Sequence, residues 1–338
     1  MRAAFLYGRE DLRIEEVDLP PVEPCGLRIR VLTCGICGSD ARMFFSGPTP
    51  RYINPVILGH EFAGEVVEVG VGAQDYAEGD VVTLAPLIPC MRCAACSRGQ
   101  DNLGERAQVI GCTVHGGMAE YVTVPGQMVL AGGVVKLPPT VEHRAGALTE
   151  LVGCCLRGLN QMGIAPGDRV LIIGDGPIGL TFLQLVKLNG AGYVVTTGRR
   201  PRRRELAVEL GADEALDAQA IKLKERFEQS IDRVIVAASN IEATAEAVDL
   251  VRPGGHLLLF SGYTYGTALS LDVNAVHYRE LHLHGSIDCT VRDFRQAAKL
   301  LPQLRMDRLI SASFPLEKAE EAFRASRERD AVKVVIEW

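Results

Sequence analysis

Arg169-Val170-Leu171-Ile172-Ile173-Gly174-Asp175-Gly176-Pro177-Ile178-Gly179 is the stretch on which the reading of this chain turns. Its apolar run has the length and composition of a strand buried on both faces. The glycines that follow occupy the first, third and sixth places of a G-x-G-x-x-G turn, and Pro177 suits the first turn of a helix. A strand that enters such a turn and leaves it as a helix is built to hold a dinucleotide. The turn is tight, the backbone can approach a pyrophosphate closely, and the helix N-terminus attracts its charge. Gly174, Gly176, Pro177, Ile178 and Gly179 are therefore the residues expected to face the cofactor.

Downstream, helical periods at 178–188 and 203–210 alternate with buried-strand candidates at 193–197, 233–237 and 256–260. Such alternation predicts a doubly wound parallel sheet. The end of the second strand selects the nucleotide. A carboxylate there holds the adenosine 2′-hydroxyl of NAD, but counting back from Gly211-Ala212-Asp213 the position is Gly198. Arg199-Arg200-Pro201-Arg202-Arg203-Arg204 follows. Glycine leaves room for a 2′-phosphate and arginine pairs with it, so the pattern predicts NADP in preference to NAD. Arg199 and Arg200 are the expected phosphate ligands, with Arg204 a further candidate, while Arg202 and Arg203 read as a solvated helix face.

Upstream, residues 1 to about 145 read as short strands, among them 27–32, 63–69, 81–84 and 119–124, punctuated by Gly, Pro and Asp. A helix is expected over 145–162. After Gly285 a helix at 293–301 and a strand at 332–336 are expected to return to the first domain. The predicted architecture is α/β: a β-rich domain of residues 1–145 and 286–338, and a doubly wound domain of residues 146–285.

The β-rich part carries Gly35-Ile36-Cys37-Gly38-Ser39-Asp40 and Gly59-His60-Glu61. A thiolate, an imidazole and a carboxylate make a ligand set suited to zinc, with a coordination position left open for chemistry. Glu61 either completes the set or holds the metal from just outside it. Glu150, at the start of the interdomain helix, is a fourth candidate. A metal and a nicotinamide cofactor in one chain point to hydride transfer at an alcohol or carbonyl carbon.

With Cys34-Gly35-Ile36-Cys37-Gly38-Ser39-Asp40, Gly59-His60-Glu61, His115-Gly116-Gly117-Met118-Ala119-Glu120-Tyr121, Pro166-Gly167-Asp168 and Gly174–Gly179 at matched spacing, the chain resembles the zinc-dependent medium-chain alcohol and polyol dehydrogenases over its whole length. The sorbitol dehydrogenase-like branch, with Glu beside the His ligand and Glu at the place of Glu150, is the nearest. The resemblance implies a GroES-like first domain, a Rossmann second domain, and an active site in the cleft between them. It also implies that Ser39 is the first hydroxyl of a proton relay. Many relatives carry His three residues later, where this chain has Arg42, which stays protonated and cannot serve as a base. Water, a cofactor ribose hydroxyl or His115 is left to carry the proton. Phe44, Phe45, Tyr52 and Ile53 flank the metal motifs as pocket candidates.

In the family a lobe of four cysteines binds a second, structural zinc. Cys90, Cys93 and Cys96 are present here, but Gly104 stands where the fourth would fall. Either Asp101, Glu105 or Cys112 substitutes, or three cysteines remain as a metal-free vestige.

The 36 basic and 42 acidic side chains leave a net charge of −6, which gives no reason to expect nucleic acid. No run approaches the roughly 18 apolar residues of a membrane span, and no signal-peptide pattern opens the chain, so the expected setting is the cytoplasm. The expected partners are a small-molecule alcohol or ketone, and further copies of the chain through the edge near Gly254–Phe260, as a homodimer or homotetramer. Two competing readings are a zinc-free reductase of the same superfamily and a non-catalytic NADP-binding protein.

Overall fold

The computed structural model describes residues 1–338. They form two compact units, Met1–Gly153 with Cys289–Trp338, and Cys154–Asp288.

The first unit is built on a seven-stranded sheet whose spine is the antiparallel pair Leu27–Gly35 and Glu61–Val69. Leu27, Ile29 and Val31 are buried, while Arg28 and Arg30 between them pair with Glu68 and Glu65. The apolar side chains recur at every second residue, the period of a strand, although Arg28 is buried as well. The register sets Gly35 opposite Glu61 and also opposite Val335 of the strand Lys333–Glu337, which joins the other side of Leu27–Gly35. Three strand ends thus meet at one place. A second, three-stranded sheet combines Asp11–Glu16, Arg2–Gly8 and Val56–Ile57. The helix expected over 145–162 is two helices, His143–Ala147 and Thr149–Met162, with Leu148 between them.

The second unit is a six-stranded sheet, parallel throughout. Its order is Glu214–Asp217, Tyr193–Gly198, Arg169–Ile173, Ile231–Val236, Val251–Leu259 and His282–Gly285. Leu171, Val195, Val234 and Leu257 are buried on one face, and Val170, Ile172, Val194, Ile235 and Leu258 are also buried. Burial on both faces is why these strands read as unbroken apolar runs. The strand order reverses at Arg169–Ile173, whose neighbours diverge to either side, and the glycine turn sits at its C-terminal end. In open α/β sheets that point is where ligands bind. No helix is long and apolar enough to cross a membrane.

Three histidines gather at the sheet edge. His256 lies opposite His282 with rings 4.4 Å apart, and its Nδ1 is 2.9 Å from His284 Nε2. Burial pushes His256 down to about 4, helped by the positive charge of Arg233, His282, His284 and Arg252. The folded-state value lies below the unfolded one, so this group's contribution is complete above pH 6.5 and is lost as pH falls toward 4. A loss on the order of 1–2 kcal/mol between pH 7 and pH 4.5 is expected, after discounting for solvent screening. The check is denaturant unfolding of wild type and His256→Gln at both pH values. An identical pH slope in the two proteins would remove His256 as the cause.

Candidate metal centre and dinucleotide site

Cys37 sits just past the strand Leu27–Gly35, where the chain turns into the helix Gly38–Ser46. Glu61 opens the partner strand and His60 immediately precedes it. The register that opposes Gly35 and Glu61 therefore brings the two motifs together, and the ligand atoms of Cys37, His60 and Glu61 lie within 4.8 Å of one another. This convergence of a soft thiolate, an imidazole and a carboxylate fits a zinc ion. Glu150 is buried in the first turn of Thr149–Met162 and lies outside this group of three. Its charge reaches the group through Lys333.

Two residues to which the sequence reading gave no role hold the trio. Asp40, 1% exposed, accepts from the Cys37 amide at 3.1 Å, and its other oxygen is 3.5 Å from the Gly59 amide and 3.4 Å from His60 Nδ1. It ties the two segments that carry the trio and fixes the imidazole, as a carboxylate behind a metal-ligating histidine would. Burial lowers the His60 pKa, but Asp40 and Cys37 together lift it well above the ordinary imidazole value. An acidic residue three places after a helix N-cap is the sequence signal for Asp40. Lys333, from the last strand, places Nζ 2.7 Å from Glu61 Oε1 and 2.5 Å from Oε2, with both side chains buried. Burial lowers the Lys333 pKa, yet Glu61, Cys37 and Glu150 raise it above the ordinary lysine value. Glu61 is thus a neutralised, fixed carboxylate rather than a free one.

Around this centre the predicted roles separate. Ser39 is half-buried in the first turn of Gly38–Ser46, and Arg42, one turn on, is exposed. His115 accepts from the Ile57 amide at 3.2 Å and packs edge-on to Phe5. It lines a cavity of about 550 Å3 that none of Cys37, Ser39, His60 and Glu61 lines. Phe44 is core: it is fully buried and stacks on Phe323 at 4.7 Å. Phe45 lies under the Arg327 guanidinium. Tyr52 is half-buried, and burial together with Cys112 and Asp40 pushes its phenol up to about 12, so it stays neutral.

The three lobe cysteines also converge, with Cys90 and Cys96 Sγ 3.7 Å apart. Amide donors from Cys96 and Glu105 draw the Cys93 thiol down to about 6. No fourth ligand reaches them. The Asp101 carboxylate accepts from the Val291 amide at 2.8 Å, Glu105 is exposed, and Cys112 Sγ faces Arg51 O. The lobe does not fit a closed four-ligand zinc site. A Cβ at Gly104 would stand 3.4 Å from Cys96 Sγ, with ordinary backbone angles of φ −65° and ψ 129°, but also 2.9 Å from Asp101 O, so the 101–104 turn must shift to admit it. Gly104→Cys is therefore expected to add about one zinc per chain and to raise Tm, checked by metal mass spectrometry. Unchanged zinc content would contradict it.

In the second unit the glycine turn has the shape its pattern requires. Gly174 has φ +125°, and a Cβ at Gly179 would lie 1.9 Å from Gly174 O, so strand and helix pack too closely for any other residue. Nothing stands within 4 Å of a Cβ at Gly176, the N-cap of Pro177–Leu188, which leaves its amide end open to a pyrophosphate. Neither the Arg199 nor the Arg200 side chain is engaged in an ion pair; Arg199 is exposed and Arg200 half-buried. Arg204 is occupied, donating to Gly198 O at 3.1 Å and pairing with Asp217 at 3.2 Å. Arg203 departs from its expected solvated position: 19% exposed, it lies 4.0 Å from Asp175 of the glycine turn.

Comparison with known proteins places both units. Residues 23–142 match the alcohol dehydrogenase GroES-like domain and residues 177–303 the zinc-binding dehydrogenase domain. The chain is 32% identical to L-galactonate-5-dehydrogenase of Escherichia coli, over 91% of this chain and 90% of that protein. Among solved structures, a Sinorhizobium meliloti protein described as a zinc-binding dehydrogenase, bound to NADP, superposes with a TM-score of 0.93. It is 32% identical, covering 100% of this chain and 99% of that one. An Escherichia coli alcohol dehydrogenase complexed with NADH gives a TM-score of 0.91 at 25% identity, covering 100% and 99%. One fold thus accompanies either nucleotide, and the choice rests on residues.

Proposed function

The chain belongs to the zinc-dependent medium-chain polyol dehydrogenase family, and on that premise we propose that it transfers hydride between NADP(H) and a secondary alcohol or its ketone, the alcohol being a polyol, sugar or cyclitol. The observation that carries the reading is the convergence of Cys37, His60 and Glu61 within 4.8 Å, backed by Asp40 and Lys333. A zinc ion held there supplies Lewis acidity toward the substrate oxygen. The residues of the chain do the rest. Cys37 and His60 hold the metal from two strand ends, and Glu61, fixed by Lys333, completes or supports that set, with Glu150 nearby. Ser39 takes the hydroxyl proton and passes it to water, because Arg42 on the same helix cannot accept it. Tyr52 offers a neutral phenol to a polar substrate. The glycine turn receives the pyrophosphate, and Arg199 and Arg200 face the 2′-phosphate, with no strand-end carboxylate at Gly198 itself to repel it.

A relative that acts on L-galactonate supports a polyhydroxylated substrate, and a neighbour bound to NADP supports the nucleotide. The reading includes one zinc per chain, at the catalytic centre, and a homodimer or homotetramer in the cytoplasm. The test is a panel of polyols, cyclitols and simple secondary alcohols with NADP+ and NAD+, followed by reduced-nicotinamide absorbance. The expected result is polyol oxidation with kcat/KM at least about tenfold higher for NADP+, the worth of one charge-assisted contact. A clear NAD+ preference would sink the nucleotide part of the reading, and activity confined to simple alcohols the substrate part.

A further inference from the structure

Gly198 is not merely an empty strand end. An ideal Cβ built there would lie 1.8 Å from Asp175 Oδ2, 2.0 Å from its Cγ and 2.4 Å from its Cβ. The side chain of the glycine turn therefore fills the place where relatives that bind NAD carry their strand-end carboxylate. Turning the Asp175 side chain would not relieve the contact, because its Cβ is itself too close. Asp175 is only 8% exposed, and it faces the basic turn. Its Oδ2 lies 3.4 Å from the Arg200 amide nitrogen, and its Oδ1 lies 4.0 Å from Arg203 Nη1. Arg200 is the N-cap of the helix Pro201–Glu209, and Arg203 lies in its first turn. One buried carboxylate thus bridges the pyrophosphate turn and the start of the helix that carries the arginines.

We propose that Asp175 is the positioning residue of the 2′-phosphate subsite: from the glycine turn it occupies the missing strand-end side chain's place and tethers Arg200 and Arg203, so that the Arg199–Arg200 corner faces the phosphate. The proposal rests on the NADP reading above. Its charge is turned toward Arg203 and the Arg200 amide, so it organises the cations rather than opposing their ligand. Nucleotide choice is therefore set by a pair, Asp175 with Gly198, and a carboxylate introduced at 198 alone meets Asp175 before it meets a ribose.

The test uses Asp175→Ala and Asp175→Asn, both of which keep the Cβ. Calorimetric binding of 2′,5′-ADP and of ADP reads the phosphate directly, beside KM and kcat for NADP+ and NAD+. Asp175→Ala is expected to weaken 2′,5′-ADP about tenfold and ADP less than about twofold. KM for NADP+ should rise by a similar factor, with kcat moving far less. Asp175→Asn, which still accepts from the Arg200 amide but carries no charge for Arg203, should fall between. Tighter 2′,5′-ADP binding in the alanine variant, or equal loss of both nucleotides, would overturn the proposal. Wild-type protein that binds ADP as tightly as 2′,5′-ADP would instead overturn the NADP reading itself. The steric half is read without nucleotide. Gly198→Ala should lower Tm by several degrees, and Asp175→Gly added to it should recover most of the loss, about 2–4 °C per kcal/mol. Failure to recover would break the pairing of the two positions.

Discussion

Replacing Lys333 with methionine is expected to destabilise the protein by about 3–5 kcal/mol, the penalty for leaving one partner of a buried ion pair alone. Lys333 is 3% exposed and its partner Glu61 1%, and both carboxylate oxygens lie within 2.7 Å of the ammonium. The site is closely packed: a side chain at Gly35 would already be 2.7 Å from Glu61 Oε2. Methionine keeps the bulk of the lysine stem, so the loss reports charge rather than a cavity. Denaturant unfolding of the single variant and of Lys333→Met with Glu61→Gln makes the check. The double variant should regain most of the stability, because its glutamine carries no charge to strand. Equal losses in single and double variants would show that the pair contributes only packing.

Replacing Cys37 with alanine should be more severe for activity, lowering kcat/KM by about a thousandfold or more. Cys37 is the sole thiolate of the convergent trio, and the remaining imidazole and carboxylate are already engaged by Asp40 and Lys333. Two hard or borderline donors held by other partners make a poor zinc site. Metal mass spectrometry should find about one zinc fewer per chain, while affinity for NADPH, measured by fluorescence, stays the same. Retained zinc and turnover would move the metal elsewhere. Loss of NADPH binding together with zinc would mean that the variant had misfolded.

Local patterns carried much of this into the sequence. The strand Arg169–Ile173, its glycine turn and the following helix were readable because buried strands are uniformly apolar and because tight turns demand glycine. The convergence of Cys37 and His60 was readable because side chains able to ligate a metal are chemically distinctive. What stayed hidden depends on contacts between distant residues. Nothing in Lys333-Val334-Val335-Ile336 distinguishes a lysine aimed at Glu61 from one in water. Phe44 reads equally as pocket or core until Phe323 is seen to cover it. Arg203 looks like its solvated neighbour Arg202, and only its approach to Asp175 shows that it faces inward. The break at Leu148 was invisible because Ala147 and Leu148 are good helix formers and no proline marks a stop there.

The pairing of Glu61 with Lys333 spans 272 residues, and all of Cys154–Asp288 lies between the two parts of the first unit. On a ribosome, the second unit, continuous in sequence, can fold as soon as it has been made. The first cannot. Its long strand Leu27–Gly35 lacks one neighbour, and Glu61 lacks its cation, until the final strand has been synthesised. The convergent trio thus gains its finished support only after the whole second unit has been made. For the whole of that interval Cys37 and His60 stand without their finished support, so oxidation of that thiol during synthesis is the hazard this chain order carries.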